Sequence, residues 1–187
     1  AMSPSEKTYF ETSVLDHAKH RIAWLLILMF SATITGSIIT KYENAFAAIP
    51  LLVSFIPMLM DTGGNCGSQS STLIIRGLAP DEIKFKDIFR VIFKEFRIAL
   101  LVGIGLAIAN GIRIFIMYKD LKMAIVIALS LSLIVIIAKI IGCTLPLFAK
   151  KLHMDPAIMA SPLITTVVDT CSIMIYFSIA TRVFTLS

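Results

Sequence analysis

Residues 57–79 read PMLMDTGGNCGSQSSTLIIRGLA and place polar groups inside a long apolar run. They include an Asp, an Asn, a Gln, an Arg, four glycines and several hydroxyl side chains. A charge at the centre of a membrane costs about 2.5–3.5 kcal/mol on insertion scales, so such groups face a bundle interior or a water-filled path. Glycines let helices approach closely and expose carbonyl oxygens. We therefore interpret this segment as the lining of a pathway through a membrane.

The composition of the whole chain places it in a lipid bilayer. Of its 187 residues, 57% are hydrophobic and 16% are charged, whereas soluble domains carry about 25% charged residues. A transmembrane helix needs about 20 apolar residues. The sequence offers five such stretches, near residues 22–40, 45–75, 91–117, 122–149 and 156–184. We predict an all-α membrane protein with five transmembrane helices, in which residues 1–21 form a short lead-in and residues 22–187 the membrane domain.

The distribution of Lys and Arg predicts the topology. Most of the 17 basic residues lie before the first stretch, between the second and third, and after the fourth. The positive-inside rule then puts the N-terminus in the cytoplasm and the C-terminus outside. The net charge of +5 reflects this asymmetry. No basic face carries interleaved exposed aromatic residues, so we expect no nucleic-acid partner. The three cysteines, Cys66, Cys143 and Cys171, fall within the stretches and are expected to be reduced and buried.

The second stretch is too long and too interrupted for a simple helix. Pro50 and Pro57 are predicted to kink it, and Gly63-Gly64 to make it flexible. Beyond the glycines, four polar residues recur at spacings of four, three and four: Asn65, Gln69, Thr72 and Arg76. They share one helix face. That face either lines the pathway or forms a polar seam held by amide hydrogen bonds.

The fifth stretch carries one acid near its middle, Asp169, with no basic residue in the same span before Arg182. Polar residues at helical spacing form a stripe on this span: Ser161, Thr165, Asp169, Ser172 and Tyr176. Asp155 precedes Pro156 and is placed to cap the helix at the mouth of the same stripe. Asp169 either binds a cation or makes an interhelical hydrogen bond. Capping and ion binding can coexist at Asp155.

Two charged features allow simpler interpretations. Residues 80–97 alternate charged residues with Ile and Phe, which predicts an amphipathic helix in a cytoplasmic loop. Its apolar side would hold Ile83, Ile88, Val91 and Ile92. Lys139, inside the fourth stretch, either offsets the charge of Asp169, reaches the membrane surface or serves as a structural cation in the bundle.

The polar groups of these spans suit a hard cation. They are carboxylates, hydroxyls, amides and carbonyls without a His or Cys cluster, which favours Mg²⁺ or Ca²⁺ over zinc or copper. The sparse acids favour Mg²⁺, because it keeps its water and is often held by one or two carboxylates. One central acid per chain is little for a divalent cation. A twofold homodimer would double it.

Three motifs in the same order resemble the MgtE family of magnesium channels and transporters. They are the run from Pro57 to Ala79 with GGN at 63–65, the Arg21…Trp24-Leu25 entry and the segment DPA…SPLITTVVD…YF at 155–177. The resemblance covers residues 21–184. It implies a homodimeric pore domain in the bacterial plasma membrane that moves Mg²⁺ down its electrochemical gradient. It also implies an ion path at the subunit interface, between the second and fifth helices.

The resemblance implies roles for individual residues. Asp169 matches the family's central magnesium-binding acid, and Asp155 matches a cytoplasmic-side acid that binds further magnesium and helps to close the pore. Carbonyl groups near Thr165 would face the hydrated ion. The pore-lining residues are then Gly63, Gly64, Asn65, Gln69, Thr72, Ser161, Thr166 and Ser172. Members of the family usually carry an acidic cytoplasmic sensor before the first span. Only roughly twenty residues precede it here, so either the sensor was cut away or this member lacks it.

Two other function classes share some of these residues. A proton-coupled secondary transporter of divalent cations would use Asp169 as its proton relay, and its flux would depend on protons. Asp61-Thr62-Gly63 spells the D-T-G of aspartic proteases, and Asp61 with Asp169 would form a carboxylate dyad. That motif belongs to a β-fold, and the GxGD pattern of intramembrane aspartyl proteases is missing. We therefore predict a transporter and not an enzyme.

Overall fold

The computed structural model describes residues 12–153, 155–156 and 162–185, which form an all-helical bundle without strands in that part of the chain. Five helices are long and one is short. In chain order they are α1 (Val14–Lys41), α2 (Glu43–Ala48), α3 (Ile56–Leu78), α4 (Ile88–Tyr118), α5 (Leu121–Lys151) and α6 (Pro162–Phe184). Helices α1, α4 and α6 run in one direction and α3 and α5 in the other, as their side-chain contacts show. The predicted all-α membrane fold is confirmed.

Four of the helices are long and apolar enough to cross a membrane: α1, α4 with the turn before it, α5 and α6. Helix α3 is not among them, because its polar residues lower its hydropathy. It nevertheless packs along α5 and α6, which are both membrane-crossing candidates. The third and fourth predicted spans agree with α4 and α5 to within one turn.

Helix α5 is the centre of the bundle. Half of its most apolar window is buried, against 6% for α1, which packs mainly on α6. At the crossing of α3 and α5 the two backbones are in contact. A Cβ on Gly142 would overlap the carbonyl oxygen of Gly67. Helix α5 therefore holds α3 and α6 side by side, and it fixes the depth of α3 through a backbone contact that only glycine permits.

The segment predicted as one interrupted second span is three separate elements. Helix α2 is followed by a 3-10 helix at Pro50–Phe55, and α3 begins only after it. Pro57 lies in the first turn of α3, where a missing N–H group costs no hydrogen bond, so the predicted kink at this residue is wrong. Tyr176 of α6 donates a hydrogen bond of 2.8 Å to the Leu52 carbonyl, which anchors the 3-10 helix to the bundle.

The predicted flexibility at the paired glycines is also wrong. Gly63 lies inside an unbroken α3, and a Cβ there would be 2.8 Å from Ile134 Cγ2 and 2.9 Å from Val168 Cγ1. These distances are shorter than a Cβ contact allows. The glycine therefore serves close packing of three helices and not bending.

The predicted loop helix at residues 80–97 is not a separate element. A turn after α3 leads through a 3-10 helix at Phe85–Asp87 directly into α4, so most of this segment forms the first turns of the third long helix. The predicted apolar side is confirmed. Its members Ile83, Ile88, Val91 and Ile92 pack against Ile74, Leu78, Cys143 and Leu147.

The start of α1 lies within the predicted lead-in. Ser13 caps the helix by accepting a hydrogen bond of 3.2 Å from the backbone N–H of Asp16. Residues 14–21 therefore continue into the first span without a break. Residues 1–11 lie outside the described part of the chain.

Candidate cation pathway

Helices α3 and α6 run in opposite directions and touch along a glycine face. A Cβ on Gly64 would be 3.0 Å from Thr165 Cγ2, and one on Gly67 would be 2.9 Å from Ile164 Cγ2. The predicted pore-lining glycines Gly63 and Gly64 are therefore buried in this contact. They bring the backbone of α3 next to the polar stripe of α6.

The next face of α3 is open. Asn65, Gln69 and Thr72 are exposed, and with Ser68 and Leu73 they line a groove of about 610 Å³. Thr72 donates a hydrogen bond of 2.9 Å to the Ser68 carbonyl. The amides of Asn65 and Gln69 make no hydrogen bond within the described residues. Polar groups at membrane depth need water, an ion or another protein surface, so this face is suited to one of the three.

The polar stripe of α6 divides into satisfied and unsatisfied groups. Thr165 and Thr166 both donate to the Pro162 carbonyl, at 2.9 and 2.7 Å. Ser172 is buried against α3, and its hydroxyl has no partner among the described residues. Tyr176 does not continue the stripe, because its ring is fully buried and its hydroxyl is bound to Leu52.

Asp169 is the central acid of this stripe. It is half-buried, and its carboxylate makes no hydrogen bond or salt bridge within the described residues. The charge of a carboxylate in this position must be stabilised by a cation or water, or neutralised by a proton.

The structure brings a second acid beside Asp169. Asp61 precedes Gly64 by one turn and Asp169 follows Thr165 by one turn, so the antiparallel contact places the two carboxyl groups at the same level. Two like charges at the same level repel each other unless a cation or a proton compensates them. We assigned Asp61 no ion-binding role from the sequence, although it lies four residues before Asn65 and so continues the same polar face.

The mouth of the predicted stripe is only partly described. Asp155 is exposed and lies outside a helix, and residues 157–161, including Ser161, are outside the described part of the chain. The cap at Asp155 and the pore-lining role of Ser161 therefore stay predictions.

Lys139 has a partner other than Asp169. Its ammonium donates a hydrogen bond of 3.2 Å to Ser70 Oγ and lies 3.9 Å from Glu95 Oε2. Ser70 donates in turn to the same Glu95 oxygen at 2.6 Å. Lys139 and Glu95 are 5% and 6% exposed, and Ser70 is fully buried. Lys139 is thus a structural cation inside the bundle, and this triad of Ser70, Glu95 and Lys139 joins α3, α4 and α5.

Glu95 was missed by the sequence interpretation. The residue follows Ile88, Val91 and Ile92 on the apolar side of α4, so its spacing gave a signal that it is buried. Glu95 was not predicted to be buried because residues 80–97 were expected to form a solvated loop helix, on which an acid needs no partner.

The described residues contain no group of three His, Cys, Asp or Glu side chains that could hold a metal ion.

Comparison with known protein families identifies a match. The profile named MgtE, described as divalent cation transporter, matches residues 56–179.

The chain belongs to the MgtE family of divalent cation transporters.

The matched region begins with α3 and contains α4, α5 and nearly all of α6. Three relatives are named magnesium transporter MgtE. The protein of Bacillus subtilis is 40% identical over 172 residues, that of Thermus thermophilus 37% over 160, and that of Enterococcus faecalis 32% over 166. The alignments cover 92%, 86% and 89% of this chain but 38%, 35% and 37% of the relatives. This chain thus spans little more than a third of their length.

The family is one of divalent cation transporters and not of enzymes, which agrees with the prediction made from the sequence, and the four apolar helices support a multi-pass membrane protein. The aspartyl protease alternative is therefore wrong. The neighbouring carboxyl groups of Asp61 and Asp169 belong to a transporter fold.

Proposed function

We propose that this chain moves Mg²⁺ across a bacterial plasma membrane, along a path between α3 and α6 at the interface of a homodimer. The observation that carries the proposal is the half-buried Asp169 carboxylate, which has no hydrogen-bond or salt-bridge partner in the described residues and lies one turn after the contact of Thr165 with Gly64 of α3. Three relatives carry the name magnesium transporter over this part of their sequences, which supports the same cation.

The dimer follows from the cost of exposing polar groups to lipid. Asn65 and Gln69 are exposed on α3, Asp169 is half-buried on the neighbouring α6, and none of these surfaces has a hydrogen-bond partner among the described residues. A second copy related by a twofold axis would cover these surfaces and bring two Asp169 carboxylates to one path. Two carboxylates neutralise the charge of one divalent cation.

The ion would pass with its water. Mg²⁺ releases its octahedral water shell reluctantly and is often held through it. Asp169 would accept hydrogen bonds from coordinated water, and the amides of Asn65 and Gln69 would bond to the same shell. Thr165 would contribute its backbone carbonyl, because its hydroxyl is already bound to Pro162.

The membrane potential suffices to drive this movement. A divalent cation that enters an inside-negative cell gains about 4.6 kcal/mol per 100 mV, from about 2.3 kcal/mol for each charge. A passive pore therefore needs no chemical coupling.

In this proposal the N-terminus lies in the cytoplasm. Asp155 lies at the cytoplasmic mouth, where it binds a further cation and helps to close the path.

The experiment is Mg²⁺ flux into liposomes that contain the parent chain or Asp169→Asn. The variant keeps the size of the side chain and loses its charge, and we expect it to abolish flux. The matched control is Asp120→Asn at the start of α5, where Asp120 caps the helix at 3.0 Å and Asn caps equally well. Control flux should equal that of the parent. Flux by Asp169→Asn at the parental rate would refute the site.

The same liposomes separate a pore from a proton-coupled carrier. A pore gives Mg²⁺ flux that follows the membrane potential and does not change when the proton gradient is collapsed. Loss of flux on collapse of the proton gradient at constant potential would instead identify a proton-coupled carrier, in which Asp169 is the candidate proton relay.

A further inference from the structure

A second polar cavity lies between α3 and α4, at the end of the bundle that holds the α3–α4 connection. It has a volume of about 760 Å³. Three basic side chains line it, Arg76 from α3 and Arg90 and Lys94 from α4. All three are exposed, and none makes a hydrogen bond or salt bridge to another described residue.

The carboxylates of the cavity do not offset these charges fully. Asp87 accepts a hydrogen bond of 3.0 Å from the Lys84 backbone, and Glu95 is bound to Ser70 and Lys139. Glu82 and Asp87 keep their negative charges, whereas Lys139 offsets the charge of Glu95. Three basic groups therefore face two uncompensated acids, and the one excess positive charge is suited to an anion.

The rest of the lining is apolar. It consists of Leu73, Ile74, Gly77, Ile83, Val91 and Ile98. A cavity lined by both cations and branched aliphatic side chains matches an amphiphile better than a free ion. The phosphate of a membrane lipid would meet the basic groups, and its glycerol backbone and first methylenes would meet the apolar wall.

The position of the cavity along α4 agrees with the headgroup level. A helix of 31 residues is about 46 Å long, whereas the hydrocarbon core is about 30 Å thick. Part of α4 therefore extends beyond the hydrocarbon, and its first turns, which carry Arg90, Lys94 and Arg97, are the part suited to the headgroup level. Phe89 and Phe93 in these turns are 83% and 64% exposed, as expected of aromatic residues that sit at the edge of the lipid.

We propose that this cavity binds the phosphate group of an anionic membrane lipid such as phosphatidylglycerol, through Arg76, Arg90 and Lys94. A bound phosphate would also act on the ion path. Leu73 lines both this cavity and the open groove of α3, and Arg76 continues the polar face of Asn65, Gln69 and Thr72. An anion on Arg76 would lower the positive potential that repels Mg²⁺ at the mouth. This effect on flux rests on the function proposed above, whereas the binding of lipid does not.

The test of binding is native mass spectrometry of the 187-residue chain in a neutral detergent, titrated with phosphatidylglycerol or phosphatidylcholine. Arg90→Gln/Lys94→Gln removes two cavity charges. The matched control, Lys86→Gln/Arg97→Gln, removes the same charges from exposed positions outside the cavity. Each basic residue near an anionic lipid surface contributes about 1 kcal/mol, so the cavity variant should bind phosphatidylglycerol roughly thirtyfold more weakly than the parent. The control should bind like the parent.

Two further arms make the result decisive. Arg90→Lys/Lys94→Arg keeps the charges and should retain binding, which separates loss of the site from loss of the fold. Inorganic phosphate should displace phosphatidylglycerol only weakly; equal affinity for inorganic phosphate would overturn the assignment to a lipid. Equal binding of both lipids by the parent, or parental binding by Arg90→Gln/Lys94→Gln, would overturn the site.

The effect on flux is measured in liposomes with and without phosphatidylglycerol. The parent should transport Mg²⁺ faster with the anionic lipid, and Arg90→Gln/Lys94→Gln should lose this dependence. Mg²⁺ flux that is absent in every lipid mixture, with lipid binding intact, would refute the proposed function and leave the binding site standing. Flux that ignores lipid composition, with binding intact, would refute the effect on the path.

Discussion

Helix α3 carries polar groups on two faces, one of which is exposed and the other buried. On one face Gln69 and Asn65 are exposed and their amides have no partner among the described residues. On the other, the next residue along the chain, Ser70, is fully buried and bound to Glu95 and Lys139. The comparison teaches that polarity at membrane depth does not itself mark a site. A polar group whose partners lie within the bundle fixes packing, and a group left open is available to an ion.

The largest effect should come from breaking the buried triad of Ser70, Glu95 and Lys139. Lys139→Met leaves the Glu95 carboxylate buried without a counter-charge, and breaking a buried pair in this way costs about 3–5 kcal/mol. Thermal unfolding in detergent measures the loss. The double variant Glu95→Met/Lys139→Met removes both charges and should recover most of the stability. Parental stability of Lys139→Met would show that the triad contributes nothing to the fold.

A smaller effect is expected at the glycine face of α3, which packs against α5 and α6. Gly63→Ala places a Cβ 2.8 Å from Ile134 and should cost about 1–3 kcal/mol. The control is Gly105→Ala on α4, where no atom lies within 4 Å of the new Cβ. This control should be neutral or stabilise the protein by up to about 1 kcal/mol. Equal unfolding temperatures of the two variants would contradict the close packing of α3.

The open face should respond in transport and not in stability. Gln69→Ala removes one hydrogen-bonding group from the groove, and a surface change of this kind alters stability by less than about 0.5 kcal/mol. One hydrogen bond of about 0.5–1.5 kcal/mol to the hydrated ion corresponds to a roughly two- to tenfold loss of Mg²⁺ flux. Measuring Mg²⁺ flux and thermal unfolding on the same preparation distinguishes an effect on transport from an effect on stability. A large loss of stability with parental flux would assign Gln69 to packing.

The smallest effect belongs to an ion pair outside the bundle. Lys150 donates a hydrogen bond of 2.7 Å to Asp81, and both side chains are exposed. This bond holds the pKa of Asp81 below its usual value, with Lys84 adding a weaker attraction. Because the folded-state pKa is lowered, the stabilisation is present above the unfolded-state pKa and disappears as the pH falls through the folded-state pKa.

Asp81→Asn should therefore change the unfolding temperature slightly at neutral pH and not at all once Asp81 is protonated in the parent. Exposed ion pairs contribute little to the stability of the fold, in contrast to the buried triad. An effect as large as that of Lys139→Met would mean that exposure does not separate the two pairs.

Much of the fold could be predicted from the sequence because hydropathy sets the long helices. Helices α4 and α5 agree with their predicted spans to within one turn, and the apolar side of residues 83–92 packs as its spacing indicates. The partners of buried charges could not be predicted in this way. Lys139 and Glu95 lie 44 positions apart in the chain, and only the packing of α4 on α5 brings them together.

The candidate site shows the same division. Periodicity alone identified Asn65, Gln69 and Asp169 as polar groups on helix faces. Close approach at the glycines was expected, but the sequence does not reveal that Ile134 and Val168 are the side chains that approach Gly63. Asp61 was considered only as half of a protease dyad with Asp169, and its place on the polar face of α3 was missed for a related reason. Its proximity to Asp169 depends on the antiparallel register of α3 and α6, which periodicity within one helix does not determine.

The most direct test of the difference between the faces of α3 uses single cysteines and a charged methanethiosulfonate reagent. The background replaces Cys66, Cys143 and Cys171 with alanine and must retain parental Mg²⁺ flux. Gln69→Cys lies on the open face, and the matched control Ser71→Cys replaces a buried residue that is 1% exposed. In proteoliposomes the reagent should modify Gln69→Cys and block its Mg²⁺ flux, and it should leave Ser71→Cys unmodified and conducting. Full modification of Gln69→Cys with unchanged Mg²⁺ flux would contradict the account.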